Sequence, residues 1–346
     1  MSDVTWPAAV RERYNALRVK RILTETDHAK SIVFDVPPAL AAAYRYTAGQ
    51  FVTLRVLIDD EAHLRSYSMS SAPGIDDELQ VTVKRVPDGL VSNFVNDKVD
   101  AGDVLDVSTP TGSFVLDASA DDVVLFAAGS GITPVFSLVK TALHTTARAV
   151  RLLYANRDRS AAIFGDALDG LAAQFGERFR VVHHEDAATG FVQTDEVLRM
   201  AGDGAATFYV CGPAPFMDIV ESTLLGRGVD KQRIHIERFT PAADEPIDEP
   251  VPETAAGETV VITLGNRTET VAQRGKSTIL QSARWAGLKA PSSCEAGHCA
   301  TCMAQVVEGG VEMANNEVLT AEEVADGWVL TCQSVPVTPL VKVVFE

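Results

Sequence analysis

Positive charge is scarce in this chain: 30 Lys and Arg stand against 47 Asp and Glu, a formal net charge of −17 over 346 residues. Nucleic acid and anionic membrane surfaces would repel such a molecule, so neither is expected as a partner. Long apolar runs are lacking too. The longest stretch without a charge, Val123 to Val139, is interrupted by Gly129, Ser130, Gly131, Thr133 and Pro134, which argues against a membrane helix. The amino terminus, Met-Ser-Asp-Val-Thr-Trp-Pro, has no basic start followed by an apolar run, so no export signal is expected. No internal repeat is present. Cysteine is sparse, five in all, and a disulfide framework suits small secreted chains rather than one of this length. With 46% hydrophobic residues the chain can bury two or three ordinary cores, and reduced cysteines point to a soluble protein of the cytoplasm.

Four of those cysteines fall in a pattern. Cys294, Cys299, Cys302 and Cys332 leave four residues between the first pair, two between the second and a long gap before the last, which is the plant-type [2Fe–2S] ligand spacing. Pro291, Ser292, Ser293, Ala296, Gly297, Ala300 and Thr301 keep the loop small, so backbone N–H groups can close on the sulfurs. A zinc site would usually show two Cys-x-x-Cys pairs, and a Rieske centre would replace two cysteines by histidines. The nearby His298 is expected to be a solvent-facing loop residue.

The rest of the chain changes character along its length. Residues from about 17 to 116 carry short alternating runs, at Ser31 to Val36, Phe51 to Ile58, Leu79 to Val86 and Val104 to Ser108, which predict an antiparallel barrel. From about 122 to 237, apolar strands at Val123–Ala127, Ala149–Ala155, Arg180–His183 and Thr207–Cys211 alternate with helical stretches near Pro134–Leu143 and Ala161–Phe175, the signature of a parallel sheet. Residues 240–257, with four prolines, five acids and no base, predict an extended, self-repelling connector. Beyond it, a hairpin around Gly265-Asn266, a short helix capped by Ser277 and ending at Gly287, the cysteine loop and a last strand at Leu340–Phe345 predict a small β-grasp domain.

Several loops suit phosphates and planar rings. The strand Val123–Ala127 runs into Ala128-Gly129-Ser130-Gly131-Ile132-Thr133-Pro134, where glycines let a backbone approach a pyrophosphate at a helix amino terminus. An ordinary tight turn would look the same, but Cys211-Gly212-Pro213 supplies a second strand-end loop, and dinucleotides bind across such ends. Cys211 also reads as a small buried hydrophobe. Arg65 and Tyr67 share one face of a strand, suiting a phosphate and a ring, with Ser68 next to them. Gly89 to Asn93 could open a helix that receives a phosphate oxygen. Each of these alone is commonplace.

Taken in order with the four cysteines, Arg65-Ser66-Tyr67-Ser68, Gly89 to Asn93, Gly129 to Pro134 and Cys211-Gly212-Pro213 resemble the ferredoxin–NADP reductase superfamily fused to a plant-type ferredoxin domain. More narrowly, the order is similar to that of the reductase components of 3-ketosteroid 9α-hydroxylase and phenylacetyl-CoA epoxidase. The resemblance implies a multidomain α+β and α/β protein: an antiparallel β-barrel flavin domain over 1–118, a parallel-sheet NAD(P)-binding domain over 119–239, the linker 240–257 and a β-grasp ferredoxin domain over 258–346. It implies that Arg65, Tyr67 and Ser68 hold the flavin phosphate, isoalloxazine and N5 edge, that Gly89, Ser92 and Asn93 cradle the pyrophosphate, and that Gly129, Gly131, Thr133, Cys211, Gly212 and Pro213 receive the nicotinamide nucleotide. Glu237-Arg238-Phe239 matches a segment whose aromatic or acidic residue lies over the flavin. Ser68, Cys211 and Phe239 are the expected residues at the reacting rings. Many relatives carry Gly where Ala300 stands, so a positive φ there would be strained.

Electron counting supports a bound flavin, because a nicotinamide gives two electrons at once and the cluster takes one. FAD is expected rather than FMN. Arg157 and Arg159 suit the 2′-phosphate of NADPH and the intervening Asp158 a ribose hydroxyl; the balance leans to NADH. The expected activity is NAD(P)H-dependent reduction of a terminal oxygenase by a monomeric reductase. A Rieske-type hydroxylase is the first partner candidate, and a di-iron hydroxylase, epoxidase or desaturase the alternative. A non-catalytic redox sensor or electron carrier is the reading from a different class.

Overall fold

A computed structural model describes residues 13–239, 259–292 and 294–345. The connector expected at 240–257 lies outside them. The chain divides into two compact units: one holds the described residues up to Asn15, Thr53–Ser66 and those from 259 on, the other Ala16–Val52 and Tyr67–Phe239.

The amino-terminal strands are β1 (Tyr14–Thr26), β2 (Ala29–Asp35), β3 (Phe51–Ile58), β4 (Glu61–Ser68), β5 (Leu79–Lys84) and β6 (Val104–Ser108). Within the second unit β2 pairs antiparallel with both β1 and β5, and β6 flanks β1 on its other side. Alternation explains the burial: Leu17 and Val19 are fully buried while Arg18 and Lys20 between and beyond them are exposed. Met69, directly after β4, bridges Val81 of β5, so the antiparallel set turns back on itself. Helix α1 (Leu90–Lys98) follows β5.

The same unit holds a parallel sheet of β7 (Asp122–Ala128), β8 (Val150–Asn156), β9 (Phe179–Glu185), β10 (Ala206–Cys211) and β11 (Ile234–Glu237) in the order β11-β10-β7-β8-β9. Helices α2 (Ile132–Thr145), α3 (Gly165–Phe175), α4 (Thr194–Ala201) and α5 (Ala214–Gly226) connect the strands. Both faces are covered: Leu125, Ile132, Leu138 and Tyr154 share one core, Val124, Phe126, Val197 and Leu224 the other. This is why β7 is apolar at successive positions rather than at alternate ones. Strand order reverses between β7 and β10, which makes their carboxyl ends a topological switch point, where such sheets bind ligands. The helix predicted from Ala161 begins only at Gly165, because Phe164 takes a left-handed φ of 59° after a 3-10 turn at Arg159–Ala161.

In the first unit β12 (Thr259–Leu264) pairs antiparallel with β13 (Arg267–Ala272) and parallel with β18 (Leu340–Phe345). The strand β14 (Met303–Glu308) lies between β18 and β16 (Trp328–Leu330), and β15 (Val311–Met313) pairs with β17 (Ser334–Pro336). Helix α6 (Ile279–Trp285) packs Ile279, Leu280 and Ala283 into the core of this β-grasp sheet, and α7 (Ala321–Ala325) lies further along. The cap of α6 is Thr278, not Ser277: Thr278 and Gln281 form a reciprocal capping box, whereas the Ser277 carbonyl accepts from Gln273. Leu64 of the β3–β4 hairpin is buried in this same core, with Tyr14 and Ala62 packed against it.

Candidate electron-transfer sites

Two loops meet at the switch point. The Gly129–Gly131 turn leads into α2, and a Cβ on Gly131 would lie 2.1 Å from the Cys211 carbonyl oxygen and 2.8 Å from the Gly212 nitrogen. A Cβ on Gly212 would in turn lie 2.9 Å from the Ala128 Cβ. Only glycine allows this approach. Gly129 has φ +53° and its carbonyl accepts from the buried Tyr154 hydroxyl at 3.3 Å, while Thr133 Oγ1 donates to the Ser130 carbonyl at 3.1 Å. Cys211 ends β10 in register with Ala127 and with Glu237. It is fully buried, and burial, then the Glu237 charge, push its thiol well above the ordinary range, so it stays neutral.

The remaining predicted positions in this unit gather less tightly. Tyr67 is half-buried and Ser68 is buried at the end of β4. Gly89 precedes α1, and a Cβ there would meet Ser92 Oγ at 2.6 Å. Ser92 Oγ accepts from the Val86 N–H at 3.1 Å and donates to the Gly89 carbonyl at 3.3 Å; Asn93 Nδ2 donates to the Val86 carbonyl at 3.3 Å. Those side chains therefore shape the turn, and the first N–H groups of α1 are what it offers an anion. Pro213 precedes α5, and Phe239 is exposed. Arg157 Nε donates to Asp158 at 2.8 Å, whereas Arg159 is held by Asp166 and Asp169. Asp158 is fixed further by Ser160 and the Ala161 N–H; the Ser160 hydroxyl, then Arg157, draw its pKa down to about 2. Arg65 lies on β4 in the first unit and donates to the Leu64 carbonyl.

Lys84 escaped the sequence reading. Its ammonium lies 3.2 Å from where a Gly129 Cβ would be, and among the described residues it makes no ion pair. Burial, then Arg157, lower its pKa. A half-buried cation without a carboxylate, beside a glycine turn, fits a dinucleotide phosphate. The signal was faint: one Lys at the end of an alternating strand.

In the first unit the cysteine loop crosses from α6 to β14. Its sulfurs fall in two close pairs, Cys294 with Cys299 and Cys302 with Cys332. Among the described residues no three His, Cys, Asp or Glu side chains form a site for one metal ion, whereas two thiol pairs suit two irons. Backbone N–H groups of Ala296 and His298 reach Cys294 Sγ at 3.5 and 3.4 Å, and the Cys294 N–H reaches Cys299 Sγ at 3.4 Å. The Cys299 thiol first, then backbone N–H groups, bring Cys294 down to about 6, toward the thiolate a metal needs. The donor set therefore fits the cluster. Arg284 clamps the loop through Glu295 and Ser292. His298 is not solvent-facing as expected: it is 8% exposed, with Nδ1 2.9 Å from Glu317. Ala300 does have a positive φ, 55°, and its methyl is buried in the domain core. The hydroxyls of Thr301 and Tyr14 are both buried, beside one another and beside Thr53.

Comparison with known proteins accounts for all three regions. Residues 17–116 match the oxidoreductase FAD-binding domain, 125–222 the oxidoreductase NAD-binding domain and 262–337 the 2Fe-2S iron-sulfur cluster binding domain. The chain is 37% identical over 337 residues to the ferredoxin reductase component of 3-ketosteroid-9-alpha-monooxygenase from Rhodococcus rhodochrous, covering 95% of this chain and 96% of that one. It is 32% identical to one of the polypeptides of 1,2-phenylacetyl-CoA epoxidase from Escherichia coli strain K12, covering 96% and 98%. Phthalate dioxygenase reductase has the same fold, with a TM-score of 0.63 at 23% identity, covering 98% of this chain and 100% of that structure. No helix among the described residues is long and apolar enough to cross a membrane.

Proposed function

We propose, from the premise that this chain belongs to the family of modular oxygenase reductases that join an FAD-binding, an NAD-binding and a 2Fe-2S domain, that it draws electron pairs from NADH and hands them singly to a terminal hydroxylase. When bound, FAD supplies the chemistry the polypeptide lacks, accepting a hydride and passing on single electrons to a one-electron centre. The chain's own residues bind, orient and exclude. Gly131 and Gly212 bring two backbone loops close enough to line one crevice, and Lys84 supplies the positive charge for a phosphate there. Cys211, buried and neutral, offers a small uncharged wall beside the nicotinamide. By the resemblance, Ser68 would hydrogen-bond the N5 edge, Tyr67 would cover the ring, Arg65 would take a flavin phosphate, and the turn formed by Gly89, Ser92 and Asn93 would receive the pyrophosphate. By the resemblance, Phe239 would lie over the flavin. Cys294, Cys299, Cys302 and Cys332 hold the cluster.

The choice of NADH rests on Asp158. Its carboxylate is fixed by Ser160, Ala161 and Arg157, and Arg159 is occupied by two other acids. A ribose hydroxyl can donate to that carboxylate, whereas a 2′-phosphate would meet it charge to charge. A hydroxylase of the 3-ketosteroid type is the first partner candidate, supported by 37% identity to that system's reductase against 32% to the epoxidase polypeptide.

The observation that carries this reading is the glycine-only contact between the two strand-end loops on the same polypeptide as two close thiol pairs, Cys294 with Cys299 and Cys302 with Cys332. Purified protein with analysed flavin, iron and sulfide is expected to reduce ferricyanide or cytochrome c with NADH at least tenfold more efficiently than with NADPH. Equal use of both nucleotides would overturn the Asp158 assignment. Loaded protein that reduces no acceptor would leave only a redox-sensing role.

A further inference from the structure

Two N–H···S contacts in the cysteine loop depend on how its peptide planes are turned. The Ala296 and His298 N–H groups reach Cys294 Sγ at 3.5 and 3.4 Å. In a trans peptide the C=O and N–H point opposite ways, so whatever holds the preceding carbonyl outward aims the N–H at the sulfur. The Gly297 carbonyl, in the plane that carries the His298 N–H, accepts from the backbone N–H of Glu317 at 3.1 Å. The Glu295 carbonyl, in the plane that carries the Ala296 N–H, is held instead by a side chain: Gln333 Nε2 donates to it at 2.7 Å, across 38 residues of sequence. That plane needs an outside hold, because Glu295 takes a left-handed φ of 48°, a conformation that a residue with a Cβ resists.

The same Gln333 nitrogen lies 3.6 Å from Cys332 Sγ and 3.2 Å from the Cys332 carbonyl oxygen. All three neighbours are acceptors, so the half-buried amide faces them with its nitrogen and not its oxygen. One side chain therefore touches both thiol pairs, Cys332 directly and Cys294 through the Ala296 peptide.

We propose that Gln333 is a positioning residue for the cluster: its amide donates to the Cys332 sulfur and, by holding the Glu295 carbonyl, keeps the Ala296 N–H on the Cys294 sulfur, and both contacts raise the reduction potential of the cluster. The inference rests on the cluster assignment above. Donors to sulfur favour the reduced cluster, which carries one more negative charge, over the oxidised one. With Gln333 in place the cluster is the better electron acceptor. Without it the cluster is the stronger reductant.

The test is a redox titration of the full-length protein followed by the EPR signal of the reduced cluster, with iron and labile sulfide analysed in every sample. Gln333→Met keeps the length of the side chain and removes the donor. The cluster midpoint is expected to fall by about 28 to 59 mV, a threefold to tenfold change in the one-electron equilibrium at 59 mV per tenfold. Gln333→Glu, which turns oxygen toward the same acceptors and adds a negative charge, is expected to fall at least as far. Gln273→Met is the structural control: Gln273 is fully buried in the same unit and its Nε2 donates to the Ser277 carbonyl at 2.7 Å, so its loss is expected to lower the melting temperature and leave the midpoint in place. An unshifted midpoint in cluster-loaded Gln333→Met overturns the proposal, and so does an equal shift in Gln273→Met, which would make loosening of the domain the cause. Should Gln333→Met take up no cluster, an unshifted Gln333→Glu overturns it; failure of both to load would reduce Gln333 to a folding residue and overturn it as well. A wild-type preparation without labile sulfide would instead sink the cluster assignment itself.

Discussion

Gly131→Ala is the sharpest perturbation of the nicotinamide crevice. The added methyl would sit 2.1 Å from the Cys211 carbonyl oxygen and 2.4 Å from its carbon, where ordinary carbon contacts begin at 3.4 Å. The loops must therefore part by about 1.3 Å, and both partners are backbone at strand ends, which cannot swing aside as a flexible side chain could. Overpacking of this kind costs about 1–3 kcal/mol. If that cost falls on the geometry that accepts NADH, it corresponds to about a 5-fold to 150-fold loss, at 1.4 kcal/mol per tenfold. Stopped-flow measurement of flavin bleaching by NADH reads it directly, with flavin and cluster content checked first. Gly170→Ala is the control: it sits in α3, nothing lies within 4 Å of its Cβ, and it is expected to stabilise the protein by about 0.8–1 kcal/mol. Flavin bleaching in Gly131→Ala at the wild-type rate and the wild-type NADH dependence would refute the claim that these loops line the nucleotide site.

Cys302→Ser is expected to abolish the cluster's visible bands and EPR signal while flavin reduction by NADH stays within about twofold, since the ligand serves only the second electron step; a retained cluster signal would remove Cys302 from the ligand set. For Ala300→Gly, relief of a left-handed alanine is worth about 1–2 kcal/mol, against about 0.8 for the buried methyl and about 0.5–1 for glycine flexibility, so the melting temperature should move by only a few degrees. A large change in either direction would show that this balance is wrong. Hydrogen bonds from Arg21 and then Lys20 lower Glu78 from 4.5 to about 2, so its stabilisation is present above pH 4.5 and is lost as pH falls toward 2. Glu78→Gln should therefore melt slightly lower than wild type at pH 7, by less than about 1 kcal/mol for so exposed a pair, and together with it near pH 2; a gap that persists at pH 2 would deny the ion pair its role. Cys211, neutral and buried, should resist iodoacetamide at pH 8 in the folded, cluster-loaded protein. Rapid labelling would place it at the surface.

Much of this architecture was legible in the residues because local patterns and tertiary packing agree. The alternation at Phe51–Ile58 and the continuous apolar run at Val123–Ala127 each reflect how many faces of the strand are buried, and the strands formed at or near those positions. Cysteine spacing pointed to the 2Fe-2S domain that residues 262–337 match for a similar reason: ligands close in sequence can close around one group. Features that depend on distant neighbours were not legible. Lys84 looks like any strand-end lysine until Gly129 is beside it, and Gln333 lies 38 residues from Glu295 in sequence. His298 was misplaced because a loop histidine is usually exposed, whereas here Glu317 lies within reach of its ring. Ser277 lost the cap to Thr278 because only the latter has a glutamine three residues on to close the box.

Division of an electron pair between flavin and cluster is tested most directly by an anaerobic titration of the flavin- and cluster-loaded protein with NADH, monitored in the visible and by EPR. The flavin absorbance is expected to bleach and the EPR signal of a reduced [2Fe–2S] cluster to grow in the same samples, because two electrons must be divided between FAD and a centre that accepts one. Flavin that bleaches while the cluster stays EPR-silent, or a protein that remains oxidised with NADH and NADPH alike, would contradict it.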